Sequence, residues 1–183
     1  MKKKIVVFAA NDCIKEKEKY YYSLAYETGK ALAEAGFVTV TGGGPGLMNE
    51  ICRGAFENKG ETHGVCLNIE GRIHSKFLTT HEMFDLLNPR QERLLQIADG
   101  FISLPGGIGT LYEVVAVLAL KRKGEIPEEK PLILIDNFYH EFHKLIKTME
   151  TEGFVFAGFD KLYDIVKSPE ETIRLLNKKI NQT

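Results

Sequence analysis

A glutamate set beside a glycine-rich turn is the feature of this chain best equipped for chemistry. The segment Leu104-Pro105-Gly106-Gly107-Ile108-Gly109-Thr110-Leu111-Tyr112-Glu113 follows an apolar run, 100–104, that reads as a buried strand, and an apolar-periodic helix is expected from about Thr110. Such a turn carries few side chains and leaves backbone N–H groups pointing outward at a helix N-terminus, where they favour phosphate or another anion. Glu113 falls in the first turn of that helix, so a carboxylate stands beside an anion cradle. A turn nearer the start of the chain, Gly42-Gly43-Gly44-Pro45-Gly46-Leu47-Met48-Asn49-Glu50, likewise links the expected strand 38–41 to another helix. Glycines by themselves often serve only to end a strand tightly. Two such junctions in one small domain place both turns at the carboxyl edge of a parallel sheet, where open α/β sheets hold their ligands. Arg90 and Arg93 lie just ahead of the strand that delivers the Gly106–Thr110 turn. A guanidinium at 90 reaches a phosphate or carboxylate in bidentate fashion, whereas the blander reading of both is a solvated helix start.

The elements that must position these groups alternate strand and helix, which predicts an α/β fold with a parallel sheet. Expected strands are 5–9, 38–41, 62–67, a short 77–80, 100–104, 131–135 and 162–166. Helices are expected around Tyr21, Leu24, Ala25, Thr28 and Leu32, then over 47–56, 88–98, 110–122 and 138–149. Ser168-Pro169-Glu170-Glu171 opens a last helix with a capping box and a proline at its first position. No repeat, long linker or low-complexity segment divides the chain, so residues 1–183 are expected to form a single domain.

Composition removes several classes. A net charge of −1 gives no electrostatic reason for nucleic acid or an acidic membrane as partner. The three cysteines, Cys13, Cys52 and Cys66, and the five histidines show no metal-ligand spacing, so neither metal nor cofactor is expected. His63, His74 and His81 read as loop or core residues, and His143-Lys144 as part of a surface helix. An odd cysteine count suits a reduced, cytoplasmic protein. Lys2-Lys3-Lys4 with the apolar 5–10 is too short for a secretory leader, and no stretch approaches the roughly 20 apolar residues that span a bilayer. A dinucleotide fold would place glycines after the first strand, where Ala10-Asn11-Asp12-Cys13 stands, and Asn49 occupies the place of the third glycine in the Gly42–Glu50 turn. An NAD-dependent dehydrogenase is therefore disfavoured. Neither turn is followed by Lys-Ser or Lys-Thr, which argues against a Walker-type nucleotidase.

Pro105-Gly106-Gly107-Ile108-Gly109-Thr110 with Glu113 resembles the P-G-G-x-G-T-x-x-E signature of the LONELY GUY family, long mislabelled as lysine decarboxylases. Gly44-Pro45-Gly46-Leu47-Met48, Arg53-Gly54-Ala55 and Leu67-Asn68-Ile69 resemble further segments of that family. Arg90 precedes Glu113 by the interval of the family's catalytic arginine–glutamate pair. The resemblance, from about Ile5 to Ile135, implies a Rossmann-like, doubly wound homodimer that hydrolyses the N-glycosidic bond of a nucleoside 5′-monophosphate, AMP or an N6-modified cytokinin-type AMP, to free base and ribose 5-phosphate. By that resemblance Glu113 stabilises the ribosyl cation, orients the ribose hydroxyls or activates water. Arg90 holds the phosphate or assists departure of the base. Gly106, Gly107, Gly109 and Thr110 hold the 5′-phosphate, and Gly43, Gly44, Gly46 and Met48 approach the nucleotide closely. Met83, Phe84 and Leu87 are candidates for the base pocket, with core packing the preferred reading. Gln91 stands where the family commonly has lysine, and Tyr112 where it often has a second acidic residue; both bear on substrate identity. A non-hydrolytic carrier of a nucleotide or of the molybdenum cofactor is the alternative on the same fold.

Overall fold

A computed structural model describes residues 2–180. Strands β1 (Lys4–Phe8), β2 (Val38–Thr41), β3 (Thr62–Leu67), β4 (Thr80–Phe84), β5 (Gly100–Ser103), β6 (Leu132–Ile135) and β7 (Asp164–Val166) form one sheet in the order β4-β3-β2-β1-β5-β6-β7. Every neighbouring pair is parallel. The helices are α1 (Lys15–Glu34), α2 (Leu47–Glu57), α3 (Leu87–Ile97), α4 (Ile108–Lys123), α5 (His140–Thr151) and α6 (Pro169–Ile180). The fold is α/β, a doubly wound, Rossmann-like sheet covered by helices on both faces.

The reason lies in the strands. Those at the centre are apolar at consecutive positions, as strands covered on both faces must be. In β1, Val6 and Phe8 join Phe101, Leu132 and Leu134 beneath α3, α4 and α5, with Leu94, Val114, Val117, Leu118 and Ile146. Ile5 and Val7 point the other way, with Ile102, Ile133 and Ile135, under Ala25, Leu32, Leu47, Ile51 and Leu176 of α1, α2 and α6. Each of the Val, Leu, Ile and Phe side chains among these, once buried, contributes about 1.5–3 kcal/mol.

From β1 the chain winds outward to β4, then returns through α3 to β5 on the other side of β1. The loops after β1 and β5 therefore diverge, and a crevice opens between them at the carboxyl edge. Both glycine turns leave from this edge, the first after β2 and the second after β5.

Several boundaries differ from the sequence reading. The fourth strand is Thr80–Phe84, not 77–80. It is one of the sheet's two edge strands and largely exposed, so its Thr-His-Glu start hides it, while the apolar Leu78 just before it fills space against Gly43 and Gly64. Helix α1 starts at Lys15, ahead of Tyr21, because its alternating Lys and Glu carry no apolar period. A 3₁₀ turn, Asn137–Tyr139, precedes α5, and another, Phe159–Leu162, takes the start of the expected last strand. Helix α6 begins as expected: the Ser168 hydroxyl accepts from Glu171 N–H at 3.3 Å, and the Glu171 carboxylate accepts from Lys167 N–H at 2.9 Å.

Candidate active site

The crevice holds a cleft of about 380 Å³ lined by Ala9, Ala10, Asn11 and Asp12 after β1, Gly42 and Met48 after β2, Leu67 and Arg72 after β3, Leu87 and Arg90 of α3, and Gly107, Gly109, Thr110 and Glu113 of the second turn and α4. Its floor is set by buried strand ends. Tyr139 donates its hydroxyl to the Leu104 carbonyl at 2.7 Å and meets Ser103 Oγ at 2.6 Å, which fixes the backbone where the second turn begins.

Glu113 and Arg90 meet on one wall. Arg90 Nη1 donates to Glu113 Oε1 at 2.7 Å, and Arg90 Nε donates to the Val65 carbonyl at 3.0 Å. Both side chains are only 11% exposed. Burial pushes the Glu113 carboxyl above its ordinary value, and the adjoining guanidinium opposes that push. The outcome is a fixed, dehydrated carboxylate facing the cleft, whose interaction with a developing cation is stronger than it would be in water.

The turn offers the opposite electrostatic character. Gly107 is the N-cap of α4 and no side chain caps it. The first-turn amides of α4 thus have no acceptor from a cap and lie at the positive end of the helix dipole. A Cβ at Gly107 or Gly109 would enter open space, so both glycines keep the approach to these amides clear. Gly106 does not line the cleft; a Cβ there would strike the Thr110 side chain, so its bareness serves Thr110.

Met48 of the first turn lines the cleft, whereas Gly43, Gly44 and Gly46 do not. Their bareness accommodates the protein itself. Gly46 adopts φ 64° and a Cβ there would collide with the Asn11 carbonyl, which seats the first turn against the end of β1. Gly43 also has positive φ and lies on Cys66 Sγ. Gly42 is the glycine of this turn that faces the cleft, and a Cβ there would occupy the position of Arg90 Nη2.

Asn11, Asp12, Gly42, Leu67 and Arg72 carry no site assignment in the sequence. Gly42 and Leu67 stand in segments that the sequence marks only as neighbours of the site, and nothing local marks Asn11, Asp12 or Arg72; the topology brings the ends of β1, β2 and β3 to one edge. Leu87 lines the cleft and is half exposed, and Met83 is exposed, so neither is core; Phe84 alone of the three packs against the core. Gln91 is buried, and its amide finds no hydrogen-bond partner among the described residues.

A family model described as "Possible lysine decarboxylase" matches residues 48–176. The chain belongs to this family, that of the LONELY GUY proteins. Among LONELY GUY relatives, the cytokinin riboside 5′-monophosphate phosphoribohydrolase LOG of Oryza sativa subsp. japonica is 30% identical over 147 residues, 77% of this chain. The match spans only 60% of that rice relative's length. A cytokinin riboside 5′-monophosphate phosphoribohydrolase of Rhodococcoides fascians is 30% identical over 142 residues, 74% of this chain and 70% of the relative. Among solved structures, the molybdenum cofactor binding protein of the phototrophic bacterium Rippkaea orientalis superposes with a TM-score of 0.71 over 98% of both chains at 26% identity. Among the described residues no helix is long and apolar enough to cross a membrane.

Proposed function

We propose that this LONELY GUY protein is a nucleoside 5′-monophosphate phosphoribohydrolase acting on AMP or an N6-modified, cytokinin-type AMP. The observation that carries the reading is the buried Arg90–Glu113 pair, 2.7 Å apart, on a cleft shared with the uncapped start of α4. As the glycosidic C–N bond lengthens, positive charge grows on the ribose and the bond's electron pair leaves with the base. Glu113 stabilises that cation and takes a proton from the attacking water, whose oxygen bonds to the anomeric carbon; the departing base takes up a proton from solvent, to which Glu113 then returns its own. Arg90 holds the carboxylate in place and favours its ionised form. The first-turn amides of α4 and the Thr110 hydroxyl receive the 5′-phosphate. The names of the rice and Rhodococcoides relatives support the same activity.

The likeness to the Rippkaea protein favours one other reading, a carrier that binds its ligand without hydrolysis. Glu113 weighs against it, because a carrier has little use for a dehydrated carboxylate at the reacting position. Incubation with AMP, other nucleoside monophosphates and N6-isopentenyl-AMP, followed by chromatography, separates the two. Release of free base and ribose 5-phosphate is expected; ligand recovered unchanged at tight occupancy would make the protein a carrier.

The homodimer is part of the same proposal. Ile108, Leu111, Tyr112 and Val115 are exposed along one stripe of α4 beside the cleft, a surface suited to a second copy. Sedimentation should give a dimer, and Leu111→Glu with Val115→Glu should give a monomer; a wild-type monomer would refute it. We place the protein in the cytoplasm, a setting consistent with its unpaired cysteines, two of them buried.

A further inference from the structure

The cleft is lined by two guanidinium groups and two carboxylates: Arg72, Arg90, Asp12 and Glu113. Arg90 is committed. Its Nη1 and Nε are bonded to Glu113 and the Val65 carbonyl, and its Nη2 lies against Gly42. Asp12 accepts from Cys13 N–H at 2.8 Å and from the Tyr22 hydroxyl at 3.3 Å, both uncharged donors. Arg72 donates from Nη2 to the Asn11 amide oxygen at 2.9 Å, and among the described residues no carboxylate forms an ion pair with it. It is the cation of the cleft that is not neutralised.

The loop that carries Arg72 is held in place. Ser75 N–H donates to the Gly43 carbonyl at 2.9 Å, and Ser75 Oγ donates to Asn49 Oδ1 at 2.9 Å, which ties the loop to the first turn and to α2. Arg72 N–H closes a turn onto the Ile69 carbonyl at 3.0 Å. Gly44 leaves room for the guanidinium, since a Cβ there would crowd Arg72 Nη2 and Met48. Asn11 follows β1, and β1 lies beside β5, the strand that delivers Gly107. Arg72 therefore reaches from β3 across the end of β2 to the crevice into which the α4 amides point. A half-buried, anchored guanidinium whose partner is a neutral amide retains donors and its full charge for an anion.

We infer that Arg72 is the phosphate-recognising cation of the site, closing on the 5′-phosphate from the side opposite the α4 amides. It confines the site to nucleotides as against nucleosides, and the phosphate role is thereby taken from Arg90, which serves Glu113. The inference rests on the nucleotide reading of the cleft, and binding, measured apart from turnover, separates the two.

The test is equilibrium binding of AMP, ribose 5-phosphate and adenosine to the wild type, Arg72→Gln and Arg72→Lys, alongside steady-state turnover of AMP. A charge-assisted contact of this kind implies that Arg72→Gln weakens AMP and ribose 5-phosphate about tenfold to a hundredfold. Adenosine affinity should change little, Arg72→Lys should recover part of the loss, and the defect in turnover should fall on KM more than on kcat. Wild-type affinity for AMP in Arg72→Gln, or equal losses for AMP and adenosine, would overturn the assignment. Tight AMP binding without base release by the wild type would remove the hydrolase reading and leave the Arg72 result standing; failure of the wild type to bind any phosphate-bearing probe would remove both.

Discussion

Helix α3 carries two arginines three residues apart, each joined to a glutamate, and their surroundings make them different things. Arg93 forms the better fork: Nε and Nη2 reach Glu82 at 2.9 and 3.0 Å, and Glu82 also meets His63 Nε2 at 3.1 Å. That cluster lies on the outer strand, with Arg93 and Glu82 side chains 37% and 33% exposed. Arg90 makes one bond to Glu113 and sits in the cleft with 11% exposure on both partners. The bond from Arg93 holds the Glu82 carboxyl below its ordinary value, while burial raises that of Glu113. Geometry alone would rank the Arg93 pair first. Desolvation decides otherwise, because a carboxylate at the surface is already stabilised by water and has little left to offer a transition state.

The sharpest way to break this contrast is to remove the buried partners. Glu113→Ala or Arg90→Ala should reduce base release by about a thousandfold or more, the scale of losing a transition-state charge. Retained turnover in both, measured by chromatography, would dissolve the assignment. Gly42→Ala comes next: its Cβ would displace the Arg90 guanidinium by a side-chain shift, and a misplacement of that size costs on the order of a hundredfold in rate. Circular dichroism should report an unchanged fold; wild-type rates in this variant would mean that Arg90 need not stand where it does.

The pH profile carries a smaller signature. On the proposed mechanism Glu113 acts ionised, and its carboxyl is raised, so turnover should fall on the acid side at a pH above the ordinary glutamate value of about 4.3. An acid limb at or below that value would contradict the raised carboxyl. Smallest of all is Arg93→Ala. A pair this exposed contributes under about 1 kcal/mol, and thermal melting should show no more than that loss, with base release as in the wild type.

How far the sequence carries is clear from the same residues. The short apolar strands and the glycine turns after β2 and β5 show the doubly wound fold, since few other arrangements bury consecutive apolar positions on both faces. Glu113 is legible because it shares one short segment with its turn. The choice between Arg90 and Arg93 is legible only through the family resemblance, in the interval to Glu113: both satisfy the local pattern, and the path of α3 past β3 is what turns one inward. Asn11, Asp12 and Arg72 are invisible for a related reason. Each lies in a polar loop with no period, and their meeting depends on the order of strands, which local spacing does not encode. The bareness of Gly43, Gly44 and Gly46 points to a ligand in the sequence, yet in the fold it answers first to the Asn11 carbonyl, Cys66, Met48 and Arg72.

The most direct test sets the two arginines side by side. Purified wild type, Arg90→Ala and Arg93→Ala are each incubated with AMP and with N6-isopentenyl-AMP, and free base and ribose 5-phosphate are quantified. Release by the wild type and Arg93→Ala but not by Arg90→Ala is the predicted result. Equal release by both variants, or equal loss in both, would contradict the claim that burial of the Arg90–Glu113 pair is what makes this site catalytic.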